Sequence, residues 1–388
     1  MDDGDLELGE LLAAAESAPP GGSVDVVARN LQKRFGARHV SFLFVDLIGQ
    51  RLARLSAAAG GDVAGFAEPI ALRGSVYDGV LQSQRQHVEP DGRGGQRVIT
   101  PVTNRGDCIG VLEVVLRRAD DGVLRKVGEA AHLLAYIIVT DRRFTDLYHL
   151  GRRTTPTSLA AEIQHQLLPS APCCEADRFT LAAGLVPADD IGGDTYDYTL
   201  ERDTLHLSIT DAMGHDTDSA LLATVLVSAL RRARRRGCDA LLQANEAHQA
   251  LLEQGRGLAT GQLLCVDLDT GDCELVNAGH PRPLRLRDGT VEEVELGVNL
   301  PFGVVAPTPY RLQKLDLRPG DRLVLLTDGM QERRAAAVDL AAVIGDTRDL
   351  HPRETVRALT SRVLAACHGE LSDDATVMVL DWHGDPAR

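Results

Sequence analysis

Aromatic residues supply only 4% of this 388-residue chain, so any core must be built from Leu, Val, Ile and Ala. Long apolar runs are missing as well. The longest candidate, AAHLLAYIIV at 130–139, is well short of the roughly 20 residues a membrane-spanning helix needs. The opening MDDGDLELGELL has neither the basic start nor the apolar stretch of a signal peptide. Seven cysteines, an odd number with no CxxC spacing and with Cys173 beside Cys174, give no disulfide framework and no zinc pattern. A reduced, cytoplasmic setting is expected. There is no basic excess either: a formal charge of −15 argues against a general nucleic-acid binder or an anionic-membrane binder.

What remains is a soluble globular composition, 44% hydrophobic and 25% charged, with length for two ordinary domains. Residues 23–36 have helical periodicity with Ser23 as N-cap. Residues 39–57 read as two strands, 74–84 as a short helix, and 96–116 as two more strands turning at NRGD. From Asp120 a long helix places Val123, Leu124, Val127, Ala131, Leu134 and Ile138 on one stripe, and its pattern continues through 141–153. Pro156 in TTPTS then breaks it. A second helix, 158–169, has Ser158 as N-cap, Glu162 near the first turn, a stripe of Leu159, Ile163 and Leu167, and Pro169 as its end.

Beyond it the pattern changes to many strands: 179–188, 195–201, 204–212, 262–269, 273–280, 283–295, 310–317, 321–329 and 375–382. Helices are expected at 217–235, 239–254, about 335–345 and 353–368. Without βαβ alternation, packed antiparallel sheets flanked by helices follow, an α+β chain.

Acids recur at the ends of the apolar strands. Asp194 and Asp197 stand in GGDTYD, Asp211 ends HLSITD, Asp328 ends LVLLTD, and Asp373 with Asp374 precedes ATVMVL. Each alone is an ordinary turn or cap aspartate. Together, crowded carboxylates repel unless a cation sits among them. Oxygen donors without His or Cys alongside select Mg²⁺ or Mn²⁺ over zinc. Glycines 192, 193 and 329 let backbone approach an ion closely.

Two resemblances follow from these motifs. Around TPVTNRGDCIGVLEVV, residues 10–145 resemble a GAF sensor domain, which implies either a small-molecule ligand or a ligandless dimerising spacer. The set AEIQHQLLP, GGDTYD, TDAMGHD, NAGHPRPL, PGDRLVLLTDGMQE and DDATVMVL, in that order over 158–382, resembles the SpoIIE/RsbU-type branch of the PPM (PP2C-like) metal-dependent serine/threonine phosphatases. The organisation expected is a GAF-like sensor or dimerisation domain at 1–145, a helical linker with a switch helix at 146–170, and an αββα phosphatase sandwich at 171–388.

The second resemblance implies a site for two Mn²⁺ or Mg²⁺ ions. Asp211 would bridge both, the Ala212 carbonyl would add a ligand, Asp194 would complete the second metal, and Asp328 with Asp373 would hold the first. Asp374 and Asp197 would stand behind these ligands or serve the structure. Such a pair activates water directly, so no cysteine or serine nucleophile is required. The implied substrate is a phosphorylated STAS-domain anti-sigma factor antagonist, with the N-terminal domain in control and a homodimer as the assembly.

Two departures stand out. Asp216 replaces the Gly of the family's GHG, and Met213 occupies the position where eukaryotic relatives carry a His. His215 is expected to be structural, which leaves the leaving-group acid unassigned. Asp216 supports the alternative of a catalytically degenerate phosphatase-fold regulatory binding protein; hydrolysis of a small phosphorylated metabolite is a third possibility. NAGH, 277–280, is expected to be a turn in which Asn277 and His280 bond locally. RRARRR, 231–236, places cations on the carbonyls ending a helix, or else docks an acidic partner.

Overall fold

The computed structural model describes residues 8–55, 68–152, 158–188, 192–214, 216–255, 257–305, 309–331 and 333–385, with only the backbone at 216. Two units divide it, Met1–Pro156 and Thr157–Arg388. The segment 146–170 is shared between them.

In the first unit, α1 (Leu8–Glu16) and α2 (Ser23–Phe35) lead into the strand pair β1 (His39–Val45) and β2 (Arg51–Leu55). β3 (Ile70–Ala71), α3 (Val76–Ser83), β4 (His87–Pro90), β5 (Gln96–Asn104) and β6 (Asp107–Leu116) follow, then α4 (Asp121–Asp141) and α5 (Leu147–Gly151). The sheet runs β3-β2-β1-β6-β5-β4, antiparallel throughout. Side chains alternate across it. Phe42, Phe44, Leu112 and Val114 pack with Val27 and Leu31 of α2 and with Val127, Ala131, Leu134 and Ile138 of α4, whereas Leu43, Val45 and Val111 pack under Tyr77, Val80 and Leu81 of α3.

Two local expectations are corrected. Ser23 is not a cap; Gly22 holds that place, and the buried Ser23 hydroxyl donates to Asp141 Oδ2 at 2.5 Å. The helix expected to continue through 153 stops at Asp141, with Arg142 as its cap, and α5 restarts after Thr145, whose hydroxyl accepts from Leu147 N–H. A threonine oxygen competing for backbone N–H groups favours such a break. The Pro156 break lies outside the described residues.

The second unit opens with α6 (Leu159–Leu167) and the hairpin β7 (Cys173–Ala176) and β8 (Phe179–Val186). β9 (Asp194–Leu200), β10 (Thr204–Ala212), α7 (Asp216–Arg234), α8 (Ala240–Gln254), β11 (Ala259–Asp267) and β12 (Cys273–Ala278) come next. β13 (Leu284–Arg287), β14 (Thr290–Glu293), β15 (Gln313–Leu315), β16 (Arg322–Leu326), α9 (Leu340–Asp346), α10 (Pro352–Ala366) and β17 (Ala375–Trp382) complete it. The expected strand 283–295 is a hairpin, because Asp288 and Gly289 both take positive φ, at 50° and 80°.

Two antiparallel sheets result, ordered β15-β12-β11-β10-β9 and β14-β13-β16-β17-β8-β7. Their inner faces share a core of Phe179, Leu181, Leu205, Leu207, Ile209, Leu323, Leu325, Met378 and Leu380. The helices α7 and α8 cover the first sheet through Leu226, Leu230, Ala244 and Ala247. α10 packs on β8 and β17 of the second. This is an αββα sandwich.

Ser158 caps α6 as expected, accepting from Ala161 N–H. The buried face of α6 differs from the Leu159, Ile163 and Leu167 stripe. It is Ala160, Ala161, Gln164 and Leu167, and Leu159 is 67% exposed. The cause is close approach: a Cβ on Gly192 would lie 3.0 Å from Ala160 Cβ, leaving room only for small residues.

Candidate metal centre

The neighbouring strands β9 and β10 of the first sheet and the two central strands of the second, β16 and β17, end or begin at the same edge. Asp194 opens β9 directly opposite Asp211 near the end of β10. The Ala212 N–H donates to Gly193 O at 3.1 Å, and a Cβ on Gly193 would come within 2.3 Å of Ala212 O. Across the core, Asp328 opens a 3-10 turn just after β16, and Asp373 and Asp374 precede β17. A Cβ on Gly329 would lie 1.9 Å from the Asp374 carbonyl oxygen. Glycine is needed at both positions for steric room alone; neither has a positive φ.

The two rows are tied together by a carboxylate on each side. Thr327 and Thr376 of the second sheet donate their hydroxyls to Asp194 Oδ2, each at 2.6 Å. In return Asp374 reaches the first sheet: its Oδ2 accepts from Gly193 N–H at 3.1 Å and Asp194 N–H at 3.3 Å, and its Oδ1 from Ala188 N–H at 2.8 Å. Asp374 is thus a buried brace between the two rows. Gln164 of α6 completes the cage, donating from Nε2 to Asp374 Oδ2 at 2.6 Å and to the Asp194 carbonyl at 2.7 Å.

Burial first, then the neighbouring carboxylates of Asp211 and Asp374, holds the Asp194 carboxyl well above the usual carboxylate range, against its two threonine donors. Burial also pushes Asp374 up to about 6 despite its donors. Like charges crowded behind a sheet edge are the electrostatic signature of a place that favours added positive charge. Asp211 and Asp328 are half-buried and Asp373 is exposed, its Oδ1 accepting from Asp374 N–H. The donors are hard oxygens with no thiolate or imidazole among them, a set that suits Mg²⁺ or Mn²⁺. Among the described residues, no three Asp, Glu, His or Cys side chains already form a closed ligand set.

Asp197 is removed from this edge. Arg231 grips it through Nε and Nη2, both at 3.0 Å, and Arg234 adds a third bond at 3.0 Å. Arg231 Nη2 also donates to Leu167 O at 2.5 Å, so one guanidinium fastens the end of α6 to β9 and α7. Four arginines of RRARRR therefore have specific structural partners, Arg231 and Arg234 on Asp197 and Arg232 and Arg236 on Glu246. In NAGH, the Asn277 amide bonds His280 O and accepts from His280 N–H, as expected. Residues 189–191, His215 and the Asp216 side chain lie outside the described residues.

Thr327, Thr376 and Gln164 escaped the sequence reading. Thr327 immediately precedes Asp328 and Thr376 lies two after Asp374, a proximity that could have flagged them. Gln164, fully buried on an otherwise apolar helix face, carries no comparable local signal.

Residues 201–383 match the family model described as Stage II sporulation protein E (SpoIIE). Phosphoserine phosphatase RsbP of Bacillus subtilis (strain 168) is 23% identical over 205 residues, covering 50% of this chain and 50% of that protein. Phosphoserine phosphatase RsbU of the same organism is 23% identical over 232 residues, covering 57% and 68% respectively. The chain spans about half the length of the first of these relatives. A solved structure of the PP2C phosphatase domain and a regulatory-domain fragment of SpoIIE from Bacillus subtilis has a TM-score of 0.47 and 15% identity, covering 81% of this chain and 88% of that one. The Thr157–Arg388 unit, an αββα sandwich, is thus similar to the SpoIIE family model over residues 201–383, and the chain is similar to the phosphoserine phosphatases RsbP and RsbU.

Proposed function

We propose that the chain is a divalent-metal-dependent protein phosphatase that removes phosphate from serine or threonine of a STAS-type anti-sigma factor antagonist. The observation that carries this reading is the meeting of Asp194, Asp211, Asp328 and Asp373 segments at one edge between the two sheets. Asp211, the Ala212 carbonyl and Asp194 would hold one side of a pair of Mn²⁺ or Mg²⁺ ions, and Asp328 with Asp373 the other. Ions held there supply Lewis acidity for hydrolysis of a phosphate monoester.

The chain's own residues do the positioning. Thr327 and Thr376 orient Asp194, Asp374 fixes the Gly193–Asp194 backbone, and Gly329 lets the Asp328 turn close on the 373–374 segment. Burial pushes the Cys265 and Cys273 thiols up to about 12, so thiolate chemistry finds no support at either of them.

Regulation would pass through α6. Gln164 and the Leu167 carbonyl bind it to Asp374, Asp194 and Arg231. A helix tied to the back of the site through Gln164 can bias that site between competent and idle arrangements. The N-terminal unit, whose antiparallel sheet between helices fits a GAF-like sensor, would supply the bias by ligand binding or by dimerisation. No helix among the described residues is long and apolar enough to cross a membrane.

RsbP and RsbU are phosphoserine phosphatases by name. The same activity is expected here: Mn²⁺-dependent phosphate release from a phosphorylated STAS protein, lost in Asp211→Ala. Release that persists in that variant or in excess chelator would refute the proposal. The degenerate-enzyme alternative depends on Asp216, and no described side chain favours it.

A further inference from the structure

The edge that carries Asp194 and Asp211 does not stop with β10. Ala259, the first residue of β11, stands opposite Ala212, and the Met213 N–H donates to Leu258 O at 2.9 Å. On its other side Ala259 exchanges two backbone hydrogen bonds with Phe302, at 2.8 and 3.2 Å. Paired strands lie about 4.8 Å apart, so Phe302 is two such spacings, about 10 Å, from Ala212. The loop 297–305 therefore borders the proposed metal centre.

This loop is pinned in place. Phe302 is fully buried in the core under α7 and α8, its ring 5.4 Å from that of Tyr310. The Asn299 N–H and its Nδ2 both donate to Asn277 O at 2.9 Å. Yet apolar side chains around these anchors stay in solvent: Val305 is 90% exposed, Met213 55%, Val298 50% and Leu300 45%. The chain is 25% charged, but no charged residue occurs over the fifteen positions from Leu296 to Tyr310. One exposed apolar side chain needs no explanation. Four along one edge, in a stretch without charge, have the composition of the centre of a protein interface.

Location selects the occupant. An interface of ordinary size buries about 800 Å² on each partner, a disc of about 16 Å radius. A protein whose phosphorylated side chain enters the metal edge thus covers ground about 10 Å away. A small phosphorylated metabolite would not span that distance, and an acidic partner would find no cation in this stretch. We propose that the loop 297–305, with Met213, is the docking surface for a folded phosphoprotein that presents an apolar face beside its phosphoserine or phosphothreonine. The inference rests on the phosphatase reading above and specifies the surface its substrate must carry. Because the loop is already anchored, little ordering opposes docking.

The test uses full-length protein and three probes: a serine-phosphorylated STAS-domain protein, a phosphoserine peptide of its sequence, and para-nitrophenyl phosphate. Val305→Asp should lower kcat/KM for the phosphoprotein about tenfold, mainly through KM. It should leave peptide and para-nitrophenyl phosphate hydrolysis, and their Mn²⁺ dependence, within about twofold. Val298→Gln with Leu300→Gln should act the same way, and serves if Val305→Asp melts early. An apolar contact also predicts that KM for the phosphoprotein moves less than about threefold between about 50 and about 500 mM salt. Unchanged phosphoprotein kinetics in both variants, an equal loss on para-nitrophenyl phosphate, or a steep salt dependence would each overturn the docking surface. So would a phosphoprotein cleaved no better than its peptide. If Val305→Asp instead abolishes self-association in sedimentation and leaves phosphoprotein kinetics intact, the patch belongs to a second copy of this chain and the proposal is overturned. Failure of the unmodified protein to hydrolyse para-nitrophenyl phosphate with Mn²⁺ is a separate result: it refutes the metal-centre reading, and the docking surface falls with it.

Discussion

Replacing Gln164 with leucine removes one side chain that touches both halves of the site. The amide gives a charge-assisted bond to Asp374 Oδ2 and a neutral one to the Asp194 carbonyl. Such bonds contribute about 1.5–3 and about 0.5–1.5 kcal/mol respectively. Two features offset the loss. Asp374 keeps three backbone donors, so its carboxylate is not stranded. Gln164 Oε1 is already buried without a partner, and leucine relieves that penalty of about 1–3 kcal/mol. A net weakening of about 1.4 kcal/mol, equivalent to tenfold, is expected for the docking of α6. If docking and site closure are one equilibrium, the Mn²⁺ concentration for half-maximal hydrolysis of a generic phosphate ester rises by about the same tenfold. Gln164→Glu should be worse, since it adds a carboxylate against Asp374 and Asp194. A Gln164→Leu protein with native circular dichroism and unchanged Mn²⁺ dependence would refute the coupling of α6 to the site.

The remaining predictions concern charge, space and anchoring. Asp194 and Asp374 bind protons more tightly folded than unfolded, where aspartate titrates near about 3.9. Their contribution to metal-free stability is therefore full below that value and lost as pH rises through about 6 for Asp374. The rise in melting temperature on adding Mn²⁺ should accordingly be larger at pH 8 than at pH 5; equal rises would contradict it. Gly329→Ala forces a Cβ to within 1.9 Å of the Asp374 carbonyl and should abolish Mn²⁺ binding or folding of the unit, by calorimetry and melting. A tolerated alanine would mean the Asp328 turn does not close on 373–374. Arg231→Met leaves Leu167 O without this donor and Asp197 with Arg234 alone. A loss of about 2–4 kcal/mol by denaturant unfolding is expected, and a change under 0.5 kcal/mol would count against the clamp.

The legible part of this chain is the part written in periodicity. Apolar runs ending in Asp211 and Asp328 mark strands and rim together, because an alternating or continuous apolar strand has one obvious end. The long stripe of α4 was equally plain. What the sequence could not display are residues whose meaning depends on another strand. Gln164 falls on a helix that reads as a leucine stripe, and only the close approach of Gly192 to Ala160 explains why the buried face is small and polar. Thr376 is a β-branched residue in a strand and Thr327 directly follows one, places where threonine needs no special reason to be. Ser23 shows the opposite error. A serine before an apolar run suggests a cap, yet the preceding 3-10 turn at Pro20–Gly22 already starts the helix, and the hydroxyl serves Asp141 instead. Edge strands as short as β4 and β7 leave too little alternation to detect.

The most direct measurement is anomalous diffraction at the manganese edge from crystals of the full-length protein grown with Mn²⁺. Two peaks are expected, bracketed by Asp194, Asp211 and the Ala212 carbonyl on one side and by Asp328 and Asp373 on the other. Peaks elsewhere, or none with these carboxylates held apart, would contradict the proposed metal centre.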